Sequence, residues 1–151
     1  MEIKRITSSE YQLVVSLFND YRVFYKYPSD LALAEKFIKE RLENNESVIF
    51  VASTEDGTSM GFTQLYPLLS SGRAIKNWVL NDLYVAPQYR KQGIGEALIK
   101  TATEFATADG AAFLQLETAI DNYNAQRLYE NIGFNKQAPD DAYFVYRLPL
   151  K

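Results

Sequence analysis

Arg90-Lys91-Gln92-Gly93-Ile94-Gly95 is the stretch whose residue types and spacing could do chemistry. Upstream, Leu80-Asn81-Asp82-Leu83-Tyr84-Val85-Ala86-Pro87 reads as a buried strand ended by Pro87. Downstream, Ile94, Ala97, Leu98, Thr101, Ala102 and Phe105 recur at helical spacing. Gly93 and Gly95 therefore sit where a helix opens. Unpaired backbone N–H groups and the positive end of the helix dipole favour an anion there. A missing Cβ lets phosphate oxygens approach the backbone, and Arg90 and Lys91 add positive charge at the mouth. The stretch reads as a diphosphate cradle, with an ordinary strand-to-helix turn as the plain alternative.

Two common cradles do not fit. No Gly-x-x-x-x-Gly-Lys-Ser/Thr run occurs in the chain. A dinucleotide fingerprint needs a third glycine where Leu98 stands, and it usually sits in an early βαβ unit, whereas this turn comes past mid-chain.

The elements around the cradle follow from pattern. Glu2–Ile6 reads as a first strand, and Ser8 or Ser9 can cap a helix whose Tyr11, Val14, Val15, Phe18 and Tyr25 share a face. Pro28-Ser29-Asp30 breaks and restarts helix, with Leu33, Ala34, Phe37, Ile38 and Leu42 expected inside. Ser47–Ser53 and Ser59–Leu69 are strands joined around Asp56-Gly57, a hairpin signal. Lys76–Val85 is the next strand, and the cradle helix should stop near Asp109-Gly110. Phe113–Thr118 reads as a strand, Asn124–Asn131 as a short helix and Ala142–Leu148 as a last strand. Three consecutive strands with helices on either side predict an α/β (α+β) protein with a mixed central sheet.

Composition bounds the rest. A chain of 151 residues with no linker-like run is expected to form one domain, 1–151. Nothing reads as a signal peptide or membrane span, and zero cysteines fit a cytoplasmic enzyme. A net charge of −3 argues against bulk nucleic-acid binding and mildly favours cationic substrates. With no His and no Cys there is no imidazole base, no thiol acyl-enzyme and no usual zinc site, so no metal is expected.

Val85-Ala86-Pro87 followed by Arg90-x-x-Gly93-x-Gly95 resembles the acyl-CoA signature of the GNAT N-acetyltransferases. A second block at the usual interval, Asn124-Ala125, Leu128-Tyr129 and Gly133-Phe134, resembles the same family. From Met1 to about Leu69 the likeness is in element order only. The resemblance implies the GNAT acyl-CoA N-acyltransferase fold, acetyl-CoA as co-substrate, and direct attack of a bound amine on the thioester. It implies two splayed strands, Lys76–Val85 and Phe113–Thr118, with the pantetheine arm in the slot along Leu83, Tyr84 and Val85. Arg90, Lys91 and the amides of Gln92, Gly93, Ile94, Gly95 and Glu96 would take the pyrophosphate. Asn124 would lie beside the pantetheine, with a helix N-cap as its other reading, and Tyr129 near the sulfur, with a core aromatic as its other reading.

Proton bookkeeping shapes the remaining candidates. A tyrosine near pKa ~10 is a weaker acid than a thiol near ~8.5, so full transfer from Tyr129 is uphill by roughly 2 kcal/mol. A hydrogen bond to the developing thiolate is at least as good a role. An acceptor amine near pKa ~10.4 costs about 4 kcal/mol to neutralise at neutral pH, which calls for a carboxylate or water chain. Asp82 and Glu117 are the candidate carboxylates; a salt bridge or cap role is the alternative for each.

Asn81-Asp82 stands where spermidine/spermine and thialysine N-acetyltransferases, which this segment resembles, carry Glu-Asp. The implied acceptor is a small cationic amine: a polyamine, a diamine or an amino acid. Tyr21, Phe24 and Tyr25 lie where the family covers the acceptor, and their faces could hold an ammonium. The plain alternative places Phe24 and Tyr25 in the core and Tyr21 and Tyr27 at the surface. Arg22 and Lys26 would instead suit a carboxylate. Other readings are a protein lysine or N-terminal acetyltransferase, and a non-catalytic acetyl-CoA sensor. Homodimers are common in the family, and Tyr143-Phe144-Val145-Tyr146 is a candidate interface, with core packing as its alternative.

Overall fold

Val48–Ser53 (β2) and Ser59–Ser70 (β3) form an antiparallel hairpin whose turn carries Gly57 at φ +87°, the left-handed backbone that glycine adopts without strain. Glu2–Arg5 (β1) pairs with the outer edge of β2, and Ile75–Val85 (β4) pairs antiparallel with β3. Leu114–Gln115 (β5) then joins β4 in parallel, which makes a mixed sheet in the order β1-β2-β3-β4-β5. The computed structural model describes residues 1–151, which pack as two compact units, Met1–Glu117 and Thr118–Lys151.

In the first unit the helices are amphipathic and cover the sheet on both faces. Gln12–Phe24 (α1) follows a short 3-10 turn, Ser8–Glu10, whose cap is Thr7 and not Ser8 or Ser9. Thr7 and Glu10 close a reciprocal capping box, because Glu at the third position can reach back to the Thr7 N–H. Leu31–Glu43 (α2) starts where Asp30 accepts from the Leu33 N–H at 3.0 Å. Val14, Phe18, Ala34 and Ile38 of these helices pack with Ile49, Val51, Phe62 and Tyr84 of the sheet. Leu33, expected inside, is exposed on the first turn of α2. Ile94–Ala108 (α3) lies on the other face, where Phe105 meets Trp78 at 5.0 Å and Phe50 at 5.8 Å between ring centres.

One irregularity in the β3–β4 ladder decides which face each β4 side chain joins. Gln64 pairs with Asp82 and Leu65 pairs with Leu80, so Asn81 is the extra residue of a bulge. Without it, Trp78, Leu80, Asp82 and Tyr84 would share one face, since alternate residues do. With it, Trp78 faces α3 while Tyr84 joins the α1–α2 core, and Asp82 follows Tyr84.

The second unit is sparser. Tyr123–Ile132 (α4) is capped by Asn122, which accepts from the Ala125 N–H at 3.2 Å, so the cap is Asn122 and not Asn124. The helix stops at Gly133, φ +122°, where the Phe134 N–H reaches back to the Tyr129 carbonyl at 2.9 Å. Residues 142–148, expected as a last strand, form none. Their alternation suits a strand, but a strand exists only when a neighbour takes its backbone hydrogen bonds, and none of the five strands does so. Tyr143, Phe144, Val145 and Tyr146 are all at least 80 % exposed, so core packing does not account for them.

Candidate active site

The strand before the cradle ends with a free edge. β4 pairs with β5 only at Trp78 and Val79, yet β4 continues to Val85. Backbone groups of successive residues in a strand point to opposite sides. The Ala86 N–H donates to the Met60 carbonyl at 2.9 Å, on the β3 side, so Leu83 and Val85 turn their backbone groups the other way. The expected slot edge is therefore present. The Val85 carbonyl already accepts from Arg90 Nε at 2.8 Å, which leaves Leu83 as the open position. β5 is shorter than expected, because pairing to β4 stops at Gln115; Glu117 lies beyond the strand and is exposed.

The turn itself is built from left-handed backbone. Pro87–Tyr89 form a single 3-10 turn, Lys91 has φ +62° and Gly93 has φ +80°. Such alternation is the backbone of anion-binding nests. Gly93 is the N-cap of α3, and its carbonyl takes the Ala97 N–H at 3.0 Å, so the N–H groups of Ile94, Gly95 and Glu96 have no partner within the helix. A Cβ at Gly95 would meet nothing closer than Val85 Cγ2 at 4.0 Å. Nothing in the protein's own packing requires glycine there. The space beside its Cα leaves room for a diphosphate to approach the backbone.

Gly61 has the opposite explanation, since its Cβ would stand 2.8 Å from the Tyr84 carbonyl. Arg90 does not extend freely: its guanidinium lies 5.6 Å from the Phe24 ring centre and 5.4 Å from that of Tyr84. It ties the cradle to the aromatic end of α1.

That aromatic end differs from the plain expectation. Phe24 and Tyr25 are exposed, whereas Tyr21 is partly buried against Phe62 and Tyr84. Behind Tyr21 sits Asp82, only 2 % exposed. Its Oδ1 accepts from Asn81 Nδ2 at 2.7 Å, and its Oδ2 accepts from Gln64 Nε2 at 2.5 Å. Burial raises the Asp82 carboxyl above the usual carboxylate range, and these donors offset part of that. Burial, and next the Asp82 charge, push the Tyr21 hydroxyl up as well. Asp82 and Tyr21 are thus brought together; Glu117 joins neither of them by any hydrogen bond or ion pair. Gln64 and Ser47, which complete the set, were not expected from sequence. The available signal was a glutamine inside a strand whose other residues are apolar or small.

In the second unit, Tyr129 packs its ring against Phe134 with centres 6.0 Å apart. The Gly133-Phe134 pair is thus the stop that fixes the helix end carrying Tyr129. Asn124 accepts a hydrogen bond from Arg127.

A sequence profile of the acetyltransferase (GNAT) family matches residues 13–134, which takes in the cradle and the Tyr129 helix together. The chain belongs to the GNAT acetyltransferase family. This GNAT protein is 43 % identical over 146 residues to the uncharacterized N-acetyltransferase YhfO of Bacillus subtilis, covering 97 % of this chain and 95 % of that one. It superposes on the crystal structure of a probable acetyltransferase with a TM-score of 0.88 and 36 % identity, covering 100 % of this chain and 99 % of that one. It is also 24 % identical to the thialysine N-epsilon-acetyltransferase of Caenorhabditis elegans, over 97 % of this chain and 91 % of that protein. It is an N-acetyltransferase of the GNAT fold, and the family uses acetyl-CoA. No helix is long and apolar enough to cross a membrane.

Proposed function

We propose that this N-acetyltransferase moves an acetyl group from acetyl-CoA straight to the primary amine of a small cationic acceptor: a polyamine, a diamine or an amino acid. The observation that carries this reading is the buried Asp82 carboxylate set behind Tyr21, on the strand whose free edge leads to the cradle. When bound, acetyl-CoA supplies an acyl group activated as a thioester. The N–H groups of Ile94, Gly95 and Glu96, with Lys91 and Gln92 beside them, hold the diphosphate, and the Leu83 backbone pairs with the pantetheine arm. Asn124 contacts that arm from α4, and Tyr129 donates a hydrogen bond to the departing sulfur. Without cysteine or histidine the chain has no acyl-enzyme route through either, so positioning and carbonyl polarisation do most of the work.

Asp82 draws the ammonium and lowers the cost of removing its proton, and Glu117 serves as a second carboxylate at the slot. Phe24 and Tyr25 present exposed ring faces to the acceptor, which suits a cation. The likeness to a thialysine acetyltransferase supports an amine of this class. The exposed aromatic run Tyr143–Tyr146 supports a homodimer as the working form.

The test is CoA-thiol release from acetyl-CoA against spermidine, diamines, lysine analogues, free amino acids and a lysine-bearing peptide. Saturable turnover with one small-amine group is expected. Turnover with the peptide alone would replace this reading with protein acetylation, and tight acetyl-CoA binding without turnover would favour a sensor.

A further inference from the structure

Along the α1 face of β4, an acidic and a basic side chain stand in line. Asp82 is 2 % exposed, and the exposed Asn81 beside it donates to its Oδ1 at 2.7 Å. Gln64 Nε2 donates to Oδ2 at 2.5 Å. The carboxylate is thus held by two amide donors and paired with no cation of the chain. Two residues on, Tyr84 shares that face, as alternate residues of a strand do. Over the Tyr84 ring lies the Arg90 guanidinium, 5.4 Å from the ring centre. It is also 5.6 Å from the ring centre of Phe24, which is exposed at the end of α1.

Arg90 stands in the cradle by sequence, yet its side chain turns to the opposite face. The N–H groups that open the cradle are those of α3, and α3 covers the other face of the sheet. The Arg90 Nε donates to the Val85 carbonyl at 2.8 Å, and both Nη groups are left without a partner in the protein. None of the chain's ion pairs includes this residue. A guanidinium tied to a carbonyl and laid over two rings has already lost much of its rotamer freedom. Its outer fork is therefore preorganised for a planar anion with two oxygens.

We infer that Arg90 takes the carboxylate of the acceptor, which is therefore an amino acid whose reacting amine stands at the far end of its side chain, as in lysine. This rests on the small-amine reading above and narrows it. Asp82 and Tyr84 lie two residues apart on one face, roughly 7 Å along the strand. An amine drawn to Asp82 and a carboxylate held by Arg90 must be separated by a distance of that order. The α-amine of an amino acid adjoins its carboxylate and cannot span the gap; the four-carbon stem of lysine can. A diamine or polyamine would bring a second cation against Arg90, and like charges repel.

The experiment measures kcat/KM at saturating acetyl-CoA for lysine, for cadaverine, which is lysine without its carboxylate, and for alanine, which offers an α-amine alone. Wild type is compared with Arg90→Gln, Arg90→Lys and Arg22→Gln, and isothermal titration gives the acetyl-CoA Kd of each. Wild type should prefer lysine to cadaverine by roughly 10- to 150-fold, the range of a hydrogen bond to a charged group, and should use alanine least. Arg90→Gln should bring that ratio close to one through a loss on lysine. Arg90→Lys keeps the charge without the fork, so part of the ratio should return. Arg22 is the other arginine at this end; its guanidinium lies 5.5 Å from the Tyr27 ring centre and donates to the Pro28 carbonyl at 3.5 Å. Arg22→Gln should keep the wild-type ratio.

Equal use of lysine and cadaverine by wild type would overturn the inference, and so would a ratio that Arg90→Gln leaves intact. A weaker acetyl-CoA Kd in Arg90→Gln with that intact ratio would give the fork to the diphosphate instead. Turnover of cadaverine but not lysine leaves the small-amine reading standing and sinks this one alone. A wild-type enzyme that turns over no small amine sinks the small-amine reading itself, before any variant is made.

Discussion

Replacing Gly95 with alanine pulls apart two quantities that most substitutions move together. Gly95 is the second residue of α3, has an ordinary helical φ, and would place a Cβ 4.0 Å from its nearest neighbour, Val85 Cγ2. That is ordinary contact, so the fold loses nothing. Alanine instead removes the extra backbone entropy of glycine from a helix, which stabilises by roughly 0.5–1 kcal/mol. For a chain of this length that is a rise in Tm of roughly 1–4 °C. The same methyl occupies the place where a diphosphate oxygen would meet the N–H groups of the first turn. Losing a hydrogen bond to a charged group costs about 1.5–3 kcal/mol, or roughly a 10- to 150-fold weaker Kd.

Gly93→Ala is the control. Its φ of +80° costs an L-residue about 1–2 kcal/mol, so Tm should fall by roughly 2–8 °C. Differential scanning fluorimetry reads the Tm of each variant, and isothermal titration with acetyl-CoA reads the Kd. A Gly95→Ala protein that is more stable and binds acetyl-CoA as tightly as wild type would refute the cradle argument, because the backbone would then not be the phosphate surface.

Tyr129→Phe should lower kcat roughly 100-fold, as expected for a lost general-acid or equivalent hydrogen bond, with acetyl-CoA Kd near wild type; an unchanged kcat in a chemistry-limited assay removes the role. Asp82→Asn should change stability with a definite sign. The folded Asp82 carboxyl is raised above its unfolded value, so wild type is favoured by protonation at low pH and loses stability as pH rises through the folded pKa. The Tm of Asp82→Asn relative to wild type should therefore climb between pH 4 and pH 8, at roughly 2–4 °C per kcal/mol, and a difference that is flat with pH counts against a buried, raised carboxyl. Gly61→Ala should destabilise by about 1–3 kcal/mol, since its Cβ would press on the Tyr84 carbonyl at 2.8 Å; a wild-type denaturant midpoint would contradict that close approach.

The turn before α3 was legible in the sequence because its determinants are local. Val85-Ala86-Pro87 ends a strand, Gly93 supplies a left-handed turn, and Ile94, Leu98 and Ala102 bury one helical face, all within a few turns of chain. The same holds for the break and restart of helix at Pro28-Ser29-Asp30 and for Asp56-Gly57 in its hairpin. Each is decided by the backbone preferences of one residue and its immediate neighbours.

Residue alternation also told of a strand at 142–148, yet no strand forms there, because pairing is a property of two segments and not of one. The bulge at Asn81 is of the same kind. Nothing in Leu80-Asn81-Asp82 states that Gln64 will face Asp82 while Leu65 faces Leu80; that register is the joint outcome of two strands seating Trp78 against α3 and Tyr84 against α1. It turned Asp82 onto the α1 face, where Tyr21 and Gln64 meet it. The sequence by itself thus determined the family, the glycine-bearing turn before α3 and most of the helices and strands, since short-range preferences suffice for those. Only the tertiary structure decided which carboxylate was buried and which side chains reached it, since contacts between β2, β3, β4 and α1 depend on register across distant segments.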